Sequence, residues 1–367
     1  MVKTVVISGY YGFDNLGDEA ILYSLIKMLK KRQNQLEIYV LSDSPKITAK
    51  RYGVKTVNRN NLVEIIKTLK KSELFVSGGG SLLQDITSIR SVPYYLGLVF
   101  LADIMRNKTT FYAQGIGPLN KIFSRKLVKW IGNRTDLITV RDQDSAELLK
   151  NIGINTDLIE KTVDPVYGLH SELENDKLKN DFIINFLNKK EIDIKTDNLI
   201  GISVRPWADN SYLEAVAKAG DDLFEKSNGK IIILPMYLNE DLEVCQRVKK
   251  KMKYPAVLWE RQLTPSEMIS FFSIFDFFVG VRLHSLIFAA LNEIPFLGIS
   301  YDPKVDSLLK DLKLETNLTT EDCDYSDLKN VINDFWNNQE KISESLKEKM
   351  KLHKLKAQDN VDKVLEL

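Results

Sequence analysis

The feature that most constrains this chain is an alternation. Short β-branched runs bounded by Gly or Asp, at Thr4–Ser8, Glu37–Leu41, Leu74–Ser77, Thr109–Ala113 and Leu137–Val140, are separated by amphipathic stretches such as Gly17–Lys31 and Leu62–Lys71. Antiparallel neighbours can be joined by a tight turn, whereas parallel neighbours need a crossover about as long as a helix. The spacing therefore predicts a mostly parallel α/β sheet with helices on both faces.

The pattern breaks after Asp164-Pro165-Val166, where Glu, Asp, Lys and Asn crowd residues 171–198. It restarts at Leu199–Val204 and continues through Lys230–Leu234, Ala256–Leu258, Phe277–Gly280 and Phe296–Ser300, before a Lys/Glu-rich helical tail. The expected division is an N-terminal α/β domain over 1–170, a connector over 171–198, a C-terminal α/β domain over 199–324 and a tail over 325–367. A length of 367 residues fits two cores. Two doubly wound domains would face a cleft, with ligands at the carboxyl ends of the strands.

Charge and composition exclude several classes. With 51 Lys+Arg against 50 Asp+Glu, no global field draws the chain to nucleic acid, so an anion must be held locally. The most apolar later stretch, 271–299, is interrupted by Asp276, Arg282, His284, Glu293 and Pro295. A spanning helix needs about 20 apolar residues, so none is expected, while a local basic-apolar patch would still allow peripheral contact with a membrane. Cys245 and Cys323 have no metal-site or disulfide spacing, which suits a reducing, cytoplasmic setting.

Five segments carry the chemistry. Gly9-Tyr10-Tyr11-Gly12-Phe13-Asp14-Asn15-Leu16-Gly17-Asp18-Glu19 joins the first strand to the first helix, with a glycine spacing unlike the dinucleotide fingerprint. The acids would favour the helix N-terminus in any case. At a cleft mouth, however, Tyr11 and Phe13 would stack on a sugar ring while Asp14, Asp18 and Glu19 accept from its hydroxyls. Gly78-Gly79-Gly80-Ser81-Leu82-Leu83-Gln84-Asp85 follows another strand. Gly79 and Gly80 would expose backbone N–H groups and Gln84 and Asp85 would read a substrate, although a plain βα turn explains the glycines equally well. Ala113-Gln114-Gly115-Ile116-Gly117-Pro118 is given a shaping role.

Basic residues stand at strand ends. Arg141 follows Leu137–Val140, with an ion pair to Asp142 as the plain alternative, and Arg205 follows Leu199–Val204. Thr264-Pro265-Ser266-Glu267 reads as a capping box that starts a helix. Beyond the next strand, Gly280-Val281-Arg282-Leu283-His284 opens an apolar helix, so free N–H groups meet a guanidinium and an imidazole: a phosphate site. Lys304, in Ser300-Tyr301-Asp302-Pro303-Lys304, is a further cation for the same ligand.

Together these segments resemble the polysaccharide pyruvyl transferase family, over roughly residues 5 to 305. The resemblance implies two Rossmann-like domains of the glycosyltransferase-B type. It also implies a bacterial cytoplasmic enzyme, peripheral at the inner face of the membrane, that acts in cell-wall biogenesis and S-layer anchoring. The implied donor is phosphoenolpyruvate, with no metal or other cofactor. The implied acceptor is N-acetylmannosamine in a secondary cell-wall polymer precursor, carried on a lipid. The donor would lie on the C-terminal domain and the acceptor on the N-terminal one. By residue, the family supports Arg141, Arg282, His284 and Lys304 as donor contacts; Arg205 rests on its placement alone. His284 and Arg282 are the expected catalytic residues, with Asp14 and Asp18 from the first domain. The residues leave two other readings open: a metal-independent glycosyltransferase using a nucleotide sugar, and a non-catalytic binder of phosphosugars.

Overall fold

The computed structural model describes residues 2–86, 90–169 and 180–367, so residues 171–179 of the expected connector lie outside the described residues. Two compact units emerge: one comprises Met1–Gly168 with His353–Leu367, the other Leu169–Leu352.

The first unit is built on a seven-stranded, all-parallel sheet in the order β3-β2-β1-β4-β5-β6-β7. Its strands are β1 (Thr4–Ser8), β2 (Glu37–Ser42), β3 (Lys55–Asn58), β4 (Leu74–Ser77), β5 (Lys108–Gln114), β6 (Leu137–Val140) and β7 (Ile159–Lys161). The helices between them are α1 (Leu16–Arg32), α2 (Pro45–Tyr52), α3 (Leu62–Leu69), α4 (Ser91–Ile104), α5 (Ile122–Gly132) and α6 (Gln143–Ile152). Central strands such as β4 and β6 are buried at every residue, which explains why they read as continuous apolar runs rather than as alternations.

The second unit repeats the plan with five parallel strands in the order β10-β9-β8-β11-β12. These are β8 (Leu199–Ser203), β9 (Lys230–Ile233), β10 (Ala256–Leu258), β11 (Phe277–Gly280) and β12 (Phe296–Gly298). A short helix α7 (Asp181–Asn188) precedes them, and α8 (Tyr212–Ser227), α9 (Leu238–Lys251), α10 (Pro265–Phe272), α11 (Leu283–Leu291) and α12 (Pro303–Leu312) link or follow them. The capping box that opens α10 is complete: Thr264 accepts from the Glu267 N–H while Glu267 accepts from the Thr264 N–H at 2.8 Å.

The C-terminal region divides differently from the expected 325–367 tail. Helix α13 (Tyr325–Asn337) packs on α8 in the second unit. The end of α14 (Gln339–Leu365) belongs to the first, where Arg32 pairs with Asp362 at 2.6 Å and Ala357, Val361 and Val364 are buried. Both cysteines are free. Among the described residues no helix is long and apolar enough to cross a membrane.

Candidate functional site

In each sheet the strand order reverses at one place, between β1 and β4 in the first unit and between β8 and β11 in the second. Successive crossovers leave such a point towards opposite faces, which opens a crevice at the carboxyl ends of the two strands. The segments singled out in the sequence leave from these strands or their neighbours.

In the first unit, Tyr11 is fully buried between the loops after β1 and β4, so its ring serves packing and not, as expected, an exposed sugar platform. Its Oη has no hydrogen-bond partner among the described residues, and burial beside Asp18 keeps the phenol firmly protonated. Phe13 lies stacked on Tyr10 with ring centroids 4.1 Å apart, and the Arg59 guanidinium sits 5.0 Å from the Phe13 centroid. Asp14, at φ +60°, remains substantially exposed and accepts from Arg51 at 3.0 Å. Glu19 is buried instead. It accepts from the Gly12 N–H at 2.8 Å and from the Tyr52 hydroxyl, so its carboxylate organises the loop and does not face solvent to meet a sugar.

The glycine loop after β4 is held from two sides. Gly80 has φ +92°, and a Cβ there would lie 2.6 Å from Asp18 Oδ1, so only glycine lets the loop approach that acid. From β5, the Gln114 amide donates to the Ser77 carbonyl at 3.0 Å, the Ser77 hydroxyl at 2.8 Å and the Gly78 carbonyl at 3.1 Å. A register irregularity between Phe111 and Gln114, with Ala113 at φ +47°, turns Gln114 into this position. Gly79 is buried in the same loop and Gln84 is partly exposed. Asp85 was expected to touch substrate, yet its two oxygens accept from the N–H groups of Asn120 and Lys121 at 2.8 and 2.9 Å. Burial alone would raise its pKa; these donors outweigh that and hold the carboxyl below its usual value.

Arg141 is almost wholly buried and donates to Asp164 at 2.8 Å, with Asp142 at 4.0 Å. Burial works against its charge, but the two carboxylates prevail and keep it more firmly protonated than usual. The guanidinium therefore has a structural partner that the sequence, which placed Asp164 only at a domain boundary, did not reveal.

In the second unit, cations gather at the ends of three neighbouring strands, β8, β11 and β12. Arg205 lies 4.2 Å from the Tyr301 ring centroid and 5.1 Å from that of Trp207, and the two rings meet edge to face at 4.9 Å. Arg282 caps the start of α11. Its Nε lies 3.1 Å from both oxygens of Asp241 and its Nη2 lies 2.8 Å from Glu240. Asp241 is fully buried and also accepts from the Tyr237 N–H at 2.9 Å, so one carboxylate fixes both the β9–α9 turn and the arginine. Burial opposes the Arg282 charge, yet Asp241 raises its pKa further. Neither Glu240 nor Asp241 was singled out in the sequence, because 41 residues separate Asp241 from its partner.

His284 lies in the first turn of α11, partly exposed, with its ring 6.4 Å from that of Phe288. That turn contains no acidic residue and its N-cap side chain makes no capping bond, so the helix end presents its N–H groups and positive dipole beside His284 and Arg282. The turn is tight: a Cβ on Gly280 would lie 2.7 Å from both Ser285 and Leu286 side-chain atoms. Lys304 begins α12, but Asp302 caps that helix and Asp306 lies in its first turn, so there the lysine and not the dipole supplies positive charge. Among the described residues no group of three or more His, Cys, Asp or Glu side chains is arranged to hold a metal ion.

The fold has solved counterparts. UDP-GlcNAc 2-epimerase from Neisseria meningitidis bound to UDP-GlcNAc is similar at a TM-score of 0.65 and 10% identity, over 99% of this chain and 98% of that one. Anabaena Alr3699/HepE in complex with UDP and glucose gives 0.64 and 10%, over 99% of each chain. A glycosyltransferase from Rickettsia africae gives 0.62 and 13%, over 99% and 98%. At such identities the likeness establishes a glycosyltransferase-B-like fold. A family model described as polysaccharide pyruvyl transferase matches residues 15–303.

Proposed function

Since the chain belongs to the polysaccharide pyruvyl transferase family, we propose that it transfers the pyruvyl group of phosphoenolpyruvate to a saccharide as a cyclic ketal, releasing phosphate. The observation that carries this reading is the convergence of Arg205, Arg282, His284 and Lys304 on neighbouring strand ends, beside a helix start free of acids. Phosphoenolpyruvate places a carboxylate and a phosphate on three carbons, a trianion that needs several directed cations.

The donor is assigned to the second unit. Protonation of the enol methylene makes an electron-poor C2, and one sugar hydroxyl adds there with loss of its proton. The C2–O bond to phosphate then breaks, phosphate leaves with the electron pair, and the neighbouring hydroxyl closes the ketal, losing its own proton. Arg282, held in place by Asp241, orients the phosphate, and His284 with the α11 N–H groups stabilises it as it departs. Arg205 and Lys304 neutralise the rest of the donor. The acceptor, N-acetylmannosamine of a cell-wall polysaccharide precursor, is assigned to the loops after β1 and β4, where Asp14 and Asp18 accept from its hydroxyls and serve as the proton-handling groups. The proposed mechanism uses no metal or other cofactor.

Nucleotide-sugar transfer is the second reading, favoured by the UDP in one of the similar structures and the UDP-GlcNAc in another. Thermal unfolding separates the two, since a ligand raises the midpoint only if the folded protein binds it. Phosphoenolpyruvate is expected to protect and UDP-N-acetylglucosamine is not; the reverse would overturn the proposal. Phosphate release should fall about 100-fold or more in His284→Ala. Arg282→Lys, which keeps a charge against Asp241 but loses the fork, should weaken donor binding. Unchanged turnover in both would remove these residues from the reaction.

A further inference from the structure

The first unit carries a surface that the proposed chemistry does not use. Helix α4 exposes Pro93, Gly97 and Ile104, with Phe100 and Leu101 half-buried beside them, a stripe at helical spacing with no charged residue. A solvated helix normally carries charge on its outer face. Between this stripe and the start of α3 lies a groove of about 540 Å³, lined by Leu62, Leu98 and Leu101 together with Arg59, Asn60 and Tyr94. On the other side, Trp130 of α5 leans on Phe100 with centroids 4.9 Å apart, so apolar surface continues from α4 onto α5, with the Arg134 guanidinium, paired to Asp103, 5.7 Å from the same Phe100 ring. At its rim Ile122 is 72% exposed and Phe123 63% exposed, which a monomer in water would normally avoid at adjacent positions.

Charge on this face is one-sided. Residues 121–134 contain five basic residues and no acid; with the segments 59–72 and 90–107, these three stretches hold eleven Lys and Arg against two Asp and Glu, in a chain of net charge +1. Lys121, Arg125, Lys126 and Lys129 are exposed around the apolar rim. Apolar side chains ringed by flexible cations, with a tryptophan among them, match the layering of a bilayer surface: acyl boundary, interface and anionic headgroups.

We propose that the α3–α4–α5 face is a docking surface for a membrane rich in anionic lipid, which the protein joins peripherally. A second copy of the chain is the disfavoured occupant, because a two-fold interface would press this basic face against itself. Docking here would hold the enzyme beside a lipid-carried acceptor, but the surface stands on its own geometry and does not depend on the pyruvyl-transfer reading.

Co-sedimentation with phosphatidylcholine vesicles, with and without phosphatidylglycerol, tests the proposal. The protein should bind the anionic vesicles, release them as salt rises, and ignore the neutral ones. A juxtamembrane cation contributes roughly fivefold in affinity, so replacing Arg125, Lys126 and Lys129 together by Glu should cost at least about 100-fold. Ile122→Ser with Phe123→Ser should also weaken binding while leaving phosphate release from phosphoenolpyruvate, in the presence of a water-soluble acceptor, unchanged. All these positions are exposed, and circular dichroism of each variant checks the fold. Failure to bind anionic vesicles, equal binding to neutral ones, or wild-type binding by the triple variant would overturn the proposal. So would a solution dimer that the Phe123→Ser change dissociates.

Discussion

Arg141 and Arg282 stand at comparable strand ends, and each is tied to a buried carboxylate, Asp164 and Asp241. Arg141 is about as buried as its partner Asp164, and removing one member of such a pair leaves a charge uncompensated. Arg141→Ala should therefore lower unfolding free energy by about 3–5 kcal/mol in urea titration, a cost that a residue serving only the donor would not show. Asp85 yields a pH prediction. Its folded pKa lies below the unfolded one, so the stability it contributes is present above the unfolded value and is lost as pH falls through the folded value. Asp85→Asn should be less stable near neutrality and should lose part of the wild-type decline in acid, as melting temperatures across pH would show. The sequence pointed to these positions because chemistry-bearing residues beside strand ends are visible in one dimension. It did not disclose Asp164, Asp241 or Arg51, since an ion pair across 23 or 41 residues exists only once the sheet has formed.

At the scale of elements, long apolar runs and caps were legible, and short, half-exposed strands were not. β3 and β7 are edge strands of four and three residues with only partial burial, so neither a continuous apolar run nor a clean alternation marks them. By contrast, Thr264-Pro265-Ser266-Glu267 specified its own helix start, because both hydrogen bonds of a capping box form within four residues. Thr264→Ala should cost about 1 kcal/mol, measurable as a lower urea midpoint. The β5 irregularity lay beyond sequence reading, as Gln114 is an ordinary residue whose task arises from a local kink. Three of its bonds hold the β4 loop, so Gln114→Ala should leave buried Ser77 and Gly78 carbonyls without their donor. A loss of about 1–3 kcal/mol per abandoned group is expected, with faster hydrogen exchange confined to that loop.

At the scale of the molecule, both units use one principle: a parallel sheet whose order reverses once, with the functional candidates on the loops that leave the reversal. The periodicity made that architecture readable, but composition did not show that residues 353–367 join the first unit, because a Lys/Glu-rich helix with one narrow apolar face does not reveal what that face packs on. Burial of Val361 and Val364 contributes roughly 1.5–3 kcal/mol each. Ending the chain at Leu352 should therefore destabilise the first unit, seen as an earlier transition in urea. Pyruvyl transfer is tested by mass spectrometry of a disaccharide containing N-acetylmannosamine after incubation with the full chain and phosphoenolpyruvate. The expected product is heavier by one pyruvyl ketal, formed with one phosphate per turnover and absent with His284→Ala. A folded protein that binds phosphoenolpyruvate yet adds no pyruvyl group to this or any cell-wall saccharide, or that transfers a sugar from a nucleotide instead, would contradict it.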